Sequence, residues 1–283
     1  MEFIAGLYAN DNIDTNYLDL DTIIKMLKMS YSLELWDKLI QLSDDLLKRA
    51  KNITLESYKP TKSYIYYYGY SLLIKGSALK ELRRYDESKQ CIQQYSDLSW
   101  LNPQDHEGKN EVEFFKYIAL PNRYEVELLS GNINILNSYV EFLKENQGEI
   151  IPGLTSILRA ANMHKFKVDK EISLFTKQIE QLNKPINHEI IDITCLYKWL
   201  YNELIVYFVN QSEYKRAIDN CLNMLQLSFE TDNSRFFKKA VFYYETLRDF
   251  ATATQNNQYI KMIKRGLKEE EISYLHNVAD FVG

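Results

Sequence analysis

The chain has 283 residues with 34 basic and 39 acidic side chains, a formal net charge of −5, which argues against nucleic acid as a partner of the chain alone, since such binding rests on neutralising phosphates. It carries 22 Tyr but only 9 Gly and 5 Pro, too few breakers for a sandwich or barrel, which needs a turn signal every ~8–12 residues. Long helices joined by short turns are expected throughout.

Taken in chain order, a first helix is expected near 19–32 and a second near 36–50, where Leu39, Ile40, Leu42, Leu46 and Leu47 share one face. The stretch YIYYYGYSLLIKG at 64–76 holds five tyrosines in seven residues. Tyr and Ile favour strands in isolation, but the continuation SALKELRRYDESKQCIQQY is helical, and the run reads as the start of a long helix. Residues 69–95 then form a helix, a tight turn near Arg83–Arg84 and a second helix. A loop follows at 102–110 (NPQDHEGKN), and Pro121 predicts a kink or break in the next helix. Ser130-Gly131-Asn132 marks another turn, HKFKVD at 164–169 separates ILRAANM from EISLFTKQIEQL, and NKPINHE at 183–189 reads as a loop. Pro152 and Pro185 fall near predicted helix starts, where proline is tolerated. Residues 198–224 repeat the plan of 69–95, and Asn256-Asn257 predicts the last turn.

Self-alignment relates the two best units. Tyr85 and Tyr214 open the second helices, and Ser88 and Ala217 follow three residues later. Leu79 and Phe208 lie six before the tyrosine, Gly76 and Ile205 nine before it. Small residues let two helices approach closely, and Gly76, which costs about 1 kcal/mol against Ala in mid-helix, is offset by such a crossing. Turn landmarks near 36, 85, 133, 168, 214 and 259 give separations of 49, 48, 35, 46 and 45, longer than the ~34 of the standard repeat.

These positions, Gly76, Leu79, Tyr85 and Ser88 with their counterparts, resemble the tetratricopeptide repeat. The resemblance implies an all-α, right-handed solenoid of about six helical hairpins, a single superhelical domain over 1–283, and a concave surface lined by the first helix of each pair. It places Tyr68, Leu72, Gly76 and Leu79 on the packing face. Tyr66, Tyr70, Leu73, Ser77 and Lys80 look into the groove, joined by Trp199, Asn202, Val206 and Val209, with Glu203 and Asn210 at the margins. A lining of this kind suits a short peptide or an extended protein segment, because Tyr offers rigid area with a hydroxyl and Asn pairs with both backbone groups. The Lys/Asn clamp of chaperone-binding repeats is missing: the corresponding positions are Leu73 and Ser77, and Asn202 and Val206.

Together with YSDLSW, the stretch YYYGYSLLIKGSALKELRRYDES resembles the sensor region of helix-turn-helix regulators and peptide-pheromone receptors of low-GC Gram-positive bacteria. The implied function is peptide sensing in transcriptional regulation, including quorum sensing, and the compact DNA-binding pattern of those regulators is not found here. The alternative is an adaptor that holds a partner protein segment constitutively.

No catalytic constellation, cofactor motif or metal-ligand spacing is found. His106, His164, His188 and His276 lack a second ligand at a zinc-like spacing, and His106 and His188 fall in predicted loops. Asp44-Asp45 and Glu269-Glu270-Glu271 are adjacent and splay around their helices. Cys91, Cys195 and Cys221 read as reduced, buried thiols of a cytoplasmic protein. No window approaches the ~18 apolar residues of a membrane span. Apolar residues of the tail LHNVADFVG at 275–283 make a homodimer an expectation as well.

Overall fold

Residues 18–51, 61–103, 105–181, 191–231 and 234–279 are described by the computed structural model of the chain. Every regular element among them is helical. None of these helices is long and apolar enough to cross a membrane. Residues 1–17 and the whole 183–189 loop, with Pro185 and His188, lie outside the described residues, as do the side chains of Cys195 and of 275–283. The chain divides into two compact units, Met1–Asn132 and Ile133–Gly283.

The first unit holds α1 (Leu20–Ser32), α2 (Trp36–Lys51), α3 (Tyr64–Glu81), α4 (Tyr85–Tyr95) and α5 (His106–Leu129). Helix starts follow side-chain capping, in which a short polar side chain accepts an orphan N–H of the first turn. Asp19 accepts from Thr22 at 2.6 Å, Ser63 from Tyr66 at 3.3 Å and Asp105 from Gly108 at 2.7 Å. The last cap starts α5 at His106, inside the expected loop. Helix α5 also runs on through Pro121 without the expected break. Pro121 removes the bond to the carbonyl of Tyr117, and Tyr117 is exposed.

Four helices end in the same turn. Glu34, Arg83, Gly131 and Ser212 each adopt a left-handed backbone, with φ of 58°, 60°, 99° and 60°. The next N–H bonds back five residues: Leu35 to Ser30, Arg84 to Leu79, Asn132 to Glu127 and Glu213 to Phe208, at 2.8–3.0 Å. This is the Schellman arrangement, which satisfies the orphan carbonyls of the last turn. It lets Trp36, Tyr85 and Tyr214 start the second helix two residues after the left-handed one.

Helix α3 packs on α1, α2, α4 and α5. A helix contacted on so many sides must be apolar nearly all round, which accounts for the dense tyrosines of 64–70. Tyr67 is fully buried and donates to Asp21 of α1 at 2.5 Å. Buried Tyr68 meets Trp100 edge-on at 5.6 Å, while the Tyr64 hydroxyl donates to the Leu101 carbonyl. On α4, the Ser88 hydroxyl donates to the carbonyl of Gly76 at 2.8 Å, and a methyl at Gly76 would sit 3.2 Å from the Cys91 β-carbon. Gly69 is tighter still: an added Cβ would meet the Phe115 ring of α5 at 2.3 Å.

The second unit holds α6 (Leu136–Glu145), α7 (Ile150–His164), α8 (Asp169–Leu174), α9 (Thr176–Gln181), α10 (Ile191–Asn210), α11 (Tyr214–Glu230), α12 (Ser234–Leu247) and α13 (Ala253–Ala279). Helix α10 takes the central place, packed on α7 and α11, and α11 packs on α12 and α13. The helix expected over EISLFTKQIEQL is divided at Phe175 into α8 and α9. The last turn lies at Arg248–Thr252, not at Asn256-Asn257, which are inside α13. A reciprocal capping box explains the shift. Thr252 Oγ1 accepts from the Gln255 N–H at 3.2 Å, and Gln255 Oε1 accepts from the Thr252 N–H at 2.9 Å. Gln255 also donates to Asp219 at 2.6 Å, tying α13 to α11. Tyr244 and Tyr259 stack with ring centres 3.7 Å apart across α12 and α13.

Two stability outcomes follow from this packing. Gly69→Ala should destabilise the protein by about 1–3 kcal/mol, because the fully buried Phe115 ring has no free space to retreat into. Gly148→Ala, where nothing lies within 4 Å, is the control, and urea unfolding followed by circular dichroism reads the difference. Arg83→Gly and Ser212→Gly should each stabilise by up to about 1 kcal/mol, since a left-handed backbone costs a non-glycine residue roughly that much, whereas Gly131→Ala should cost a similar amount.

Candidate functional site

The residues expected to face a groove lie on the central helix of each unit. On α3, Tyr66, Tyr70, Leu73, Ser77 and Lys80 recur at steps of four and three, so they share a face. All five are half-buried. Tyr66 and Tyr70 stack, with ring centres 5.4 Å apart at 17°. Burial pushes the Tyr70 phenol up to about 12, with Tyr66 and Tyr31 adding to the effect.

Leu73, Ser77 and Lys80 enter a notch of about 210 Å³ open to solvent, with Gly76 at its floor. Ser88 and Tyr95 close it from α4, and Asn122 and Glu125 from α5. Asn122 donates to the Tyr95 hydroxyl at 2.9 Å, and Ser77 donates to the Leu73 carbonyl at 3.0 Å. Lys80 pairs with Glu125 at 2.9 Å and approaches Glu81 at 3.8 Å. Burial alone would push its ammonium down, but Glu125, Tyr31 and Glu81 together hold it above the ordinary lysine value. Two carboxylates thus face one cation, and the notch offers no surplus positive charge to an anionic ligand.

On α10 the expected residues have three different environments. Trp199 is exposed and meets Phe236 of α12 edge-on at 5.8 Å. Asn202 is buried; it donates to Glu203 at 3.1 Å and accepts from the Tyr243 hydroxyl at 3.1 Å. Val206 is half-buried. Glu203, expected only at the margin, is the hub: Asn162 of α7 donates to its second carboxylate oxygen at 2.9 Å, and Asn210 donates to Asn162 at 3.3 Å. Sequence reasoning missed Asn122, Glu125, Asn162 and Tyr243, all supplied by neighbouring helices. Their only sequence signal is a polar residue interrupting an otherwise apolar helix face.

Among the described residues no group of His, Cys, Asp and Glu could hold a metal ion. Cys91 and Cys221 are buried, and burial pushes their thiols up to about 11 and about 12. A reactive cysteine needs the opposite shift. Comparison with protein-family models, curated proteins and solved structures returns no match to this chain.

The buried phenol and thiols set an alkaline limit. Their folded values lie above those of an unfolded chain, about 8.5 for Cys and 10 for Tyr, so the stability they contribute is fully present below those values and lost as pH rises through the folded ones. Helicity should therefore hold to about pH 10 and fall cooperatively toward 12, together with the rise of tyrosinate absorbance. Tyr70→Phe should move the midpoint upward.

Proposed function

We propose that this chain is a regulatory ligand-binding module of tetratricopeptide type, whose central helices hold a short peptide or an extended protein segment. In this reading the helix pairs are successive hairpins of a right-handed α-solenoid, in which each repeat contacts its neighbours and the first helices present the binding face. One observation carries the proposal: α3 is packed by four helices yet keeps the row from Tyr66 to Lys80 half-exposed. Stacked tyrosines followed by a polar notch suit a ligand with an apolar portion and hydrogen-bonding backbone groups. The recurrent turn and the Gly76–Ser88 crossing support the repeat reading. The resemblance to sensor regions supports a role in transcriptional regulation through a conformational response to the peptide.

Calorimetry with a pooled library of synthetic penta- to decapeptides tests the reading. Saturable binding is expected, and Tyr70→Ala should weaken it at least tenfold, about 1.4 kcal/mol, with the helical circular dichroism unchanged. Absence of binding by every pool would overturn the proposal. Binding that exists only for a folded protein partner would favour the adaptor role.

A further inference from the structure

We propose that Trp199 and Glu203 form a receptor for an arginine side chain of the bound peptide. The inference rests on the peptide-binding reading and names the chemistry of one subsite. Trp199 and Glu203 are four residues apart on α10, a spacing that makes side chains neighbours on one face. Helical side chains lean toward the N-terminus, so Glu203 leans toward the indole. Trp199 is 41% exposed, a large area for an indole already backed by Phe236.

Several carboxylates of the chain are paired with a cation. Glu125, Glu127, Glu213 and Glu245 each sit within 4 Å of a Lys or Arg. Among the described residues no cation lies within ion-pair distance of Glu203. Both its oxygens are instead held by neutral amides: Asn202 donates to Oε1 at 3.1 Å and Asn162 to Oε2 at 2.9 Å. Those amides are themselves oriented from behind. Tyr243 donates to the Asn202 carbonyl oxygen at 3.1 Å, and Asn210 to that of Asn162 at 3.3 Å. The acid is thus fixed in place, and no described cation compensates its charge. On α12, the ammonium of Lys239 lies over the Tyr243 ring at 5.9 Å.

Each carboxylate oxygen accepts two hydrogen bonds, so one site per oxygen remains after the asparagines are counted. Two parallel N–H groups of a guanidinium match that pair, and its plane stacks on an indole. An ammonium would meet the same charge as a single point and carry a tighter hydration shell. An anionic side chain would be repelled. Arginine is therefore the residue the subsite selects.

The test uses the isotope-labelled full chain and follows the Trp199 indole N–H and the Val206 methyls by NMR. The probes are N-acetyl-arginine amide, N-acetyl-lysine amide and N-acetyl-citrulline amide, the last a neutral isostere of arginine. A saturable shift is expected with arginine, a weaker one with lysine and none with citrulline. Glu203→Gln should weaken arginine binding at least about tenfold, as loss of a charge-assisted contact does. Trp199→Leu, read at Val206, should weaken it too. The proposal is overturned if arginine gives no saturable shift, if citrulline binds equally, or if Glu203→Gln changes nothing. Should peptide pools bind with no preference for arginine, this inference fails while the peptide-binding reading stands. Should N-acetyl-arginine amide bind and no peptide do so, the reading fails and the receptor stands.

Discussion

Reversal of the chain through a left-handed residue is the constraint on which the helix pairs depend. Each of the four Schellman turns uses a single φ near 60–100° to end one helix, and the bond back five residues closes the end. In the three turns that join a helix pair, only three residues (33–35, 82–84 and 211–213) separate the helices, so the second packs on the first from its opening turn. Trp36, Tyr85 and Tyr214 therefore start their helices beside the ends of the helices they follow. Three of the four turns put Glu, Arg or Ser where glycine is least strained. The strain is small against the apolar surface that each pair buries, and the packing decides the conformation.

Close approach is the second consequence. Gly69 against Phe115, Gly153 against Leu143 and Gly266 against Phe229 each leave less than 2.5 Å for a β-carbon. Large rings and leucines thus insert where the opposing helix has no side chain. Packed at this distance, the central helices lose access to water on most sides. Among the side chains that stay partly exposed, Tyr66, Tyr70, Ser77 and Lys80 share one face of α3, and Trp199, Glu203 and Asn210 share one face of α10.

Much of this was legible from local signals. The Tyr85 and Tyr214 helix starts, the Gly76 crossing with Ser88, the turn at Ser130–Asn132 and the buried Cys91 and Cys221 all lie where residue spacing puts them. Elsewhere stronger local chemistry was overlooked. Asn256-Asn257 looks like a turn by composition, yet Thr252 and Gln255 form a capping box that starts the helix earlier, and both asparagines are drawn into it. Pro121 reads as a breaker, but a single lost bond next to exposed Tyr117 is tolerated within a helix packed on α3 and α4. The partners of Lys80 and Glu203 could not be read at all. Glu125, Asn162 and Tyr243 lie on other helices, and their register is set by packing that no short window contains.

The two rows also differ in how their charge is handled, and that difference bears on ligand choice. Lys80 is answered twice, by Glu125 and Glu81, so a ligand entering its notch must replace an existing ion pair to gain one. Displacing a partly buried pair returns little net energy, because the released carboxylate loses its partner. Among the described residues Glu203 is answered only by amides, which fix its position without neutralising it. A cation arriving there gains a charge-assisted contact and displaces nothing charged. In the proposed binding reading, discrimination by charge therefore falls to the α10 row, and the stacked tyrosines of α3 select by shape and hydrogen bonding.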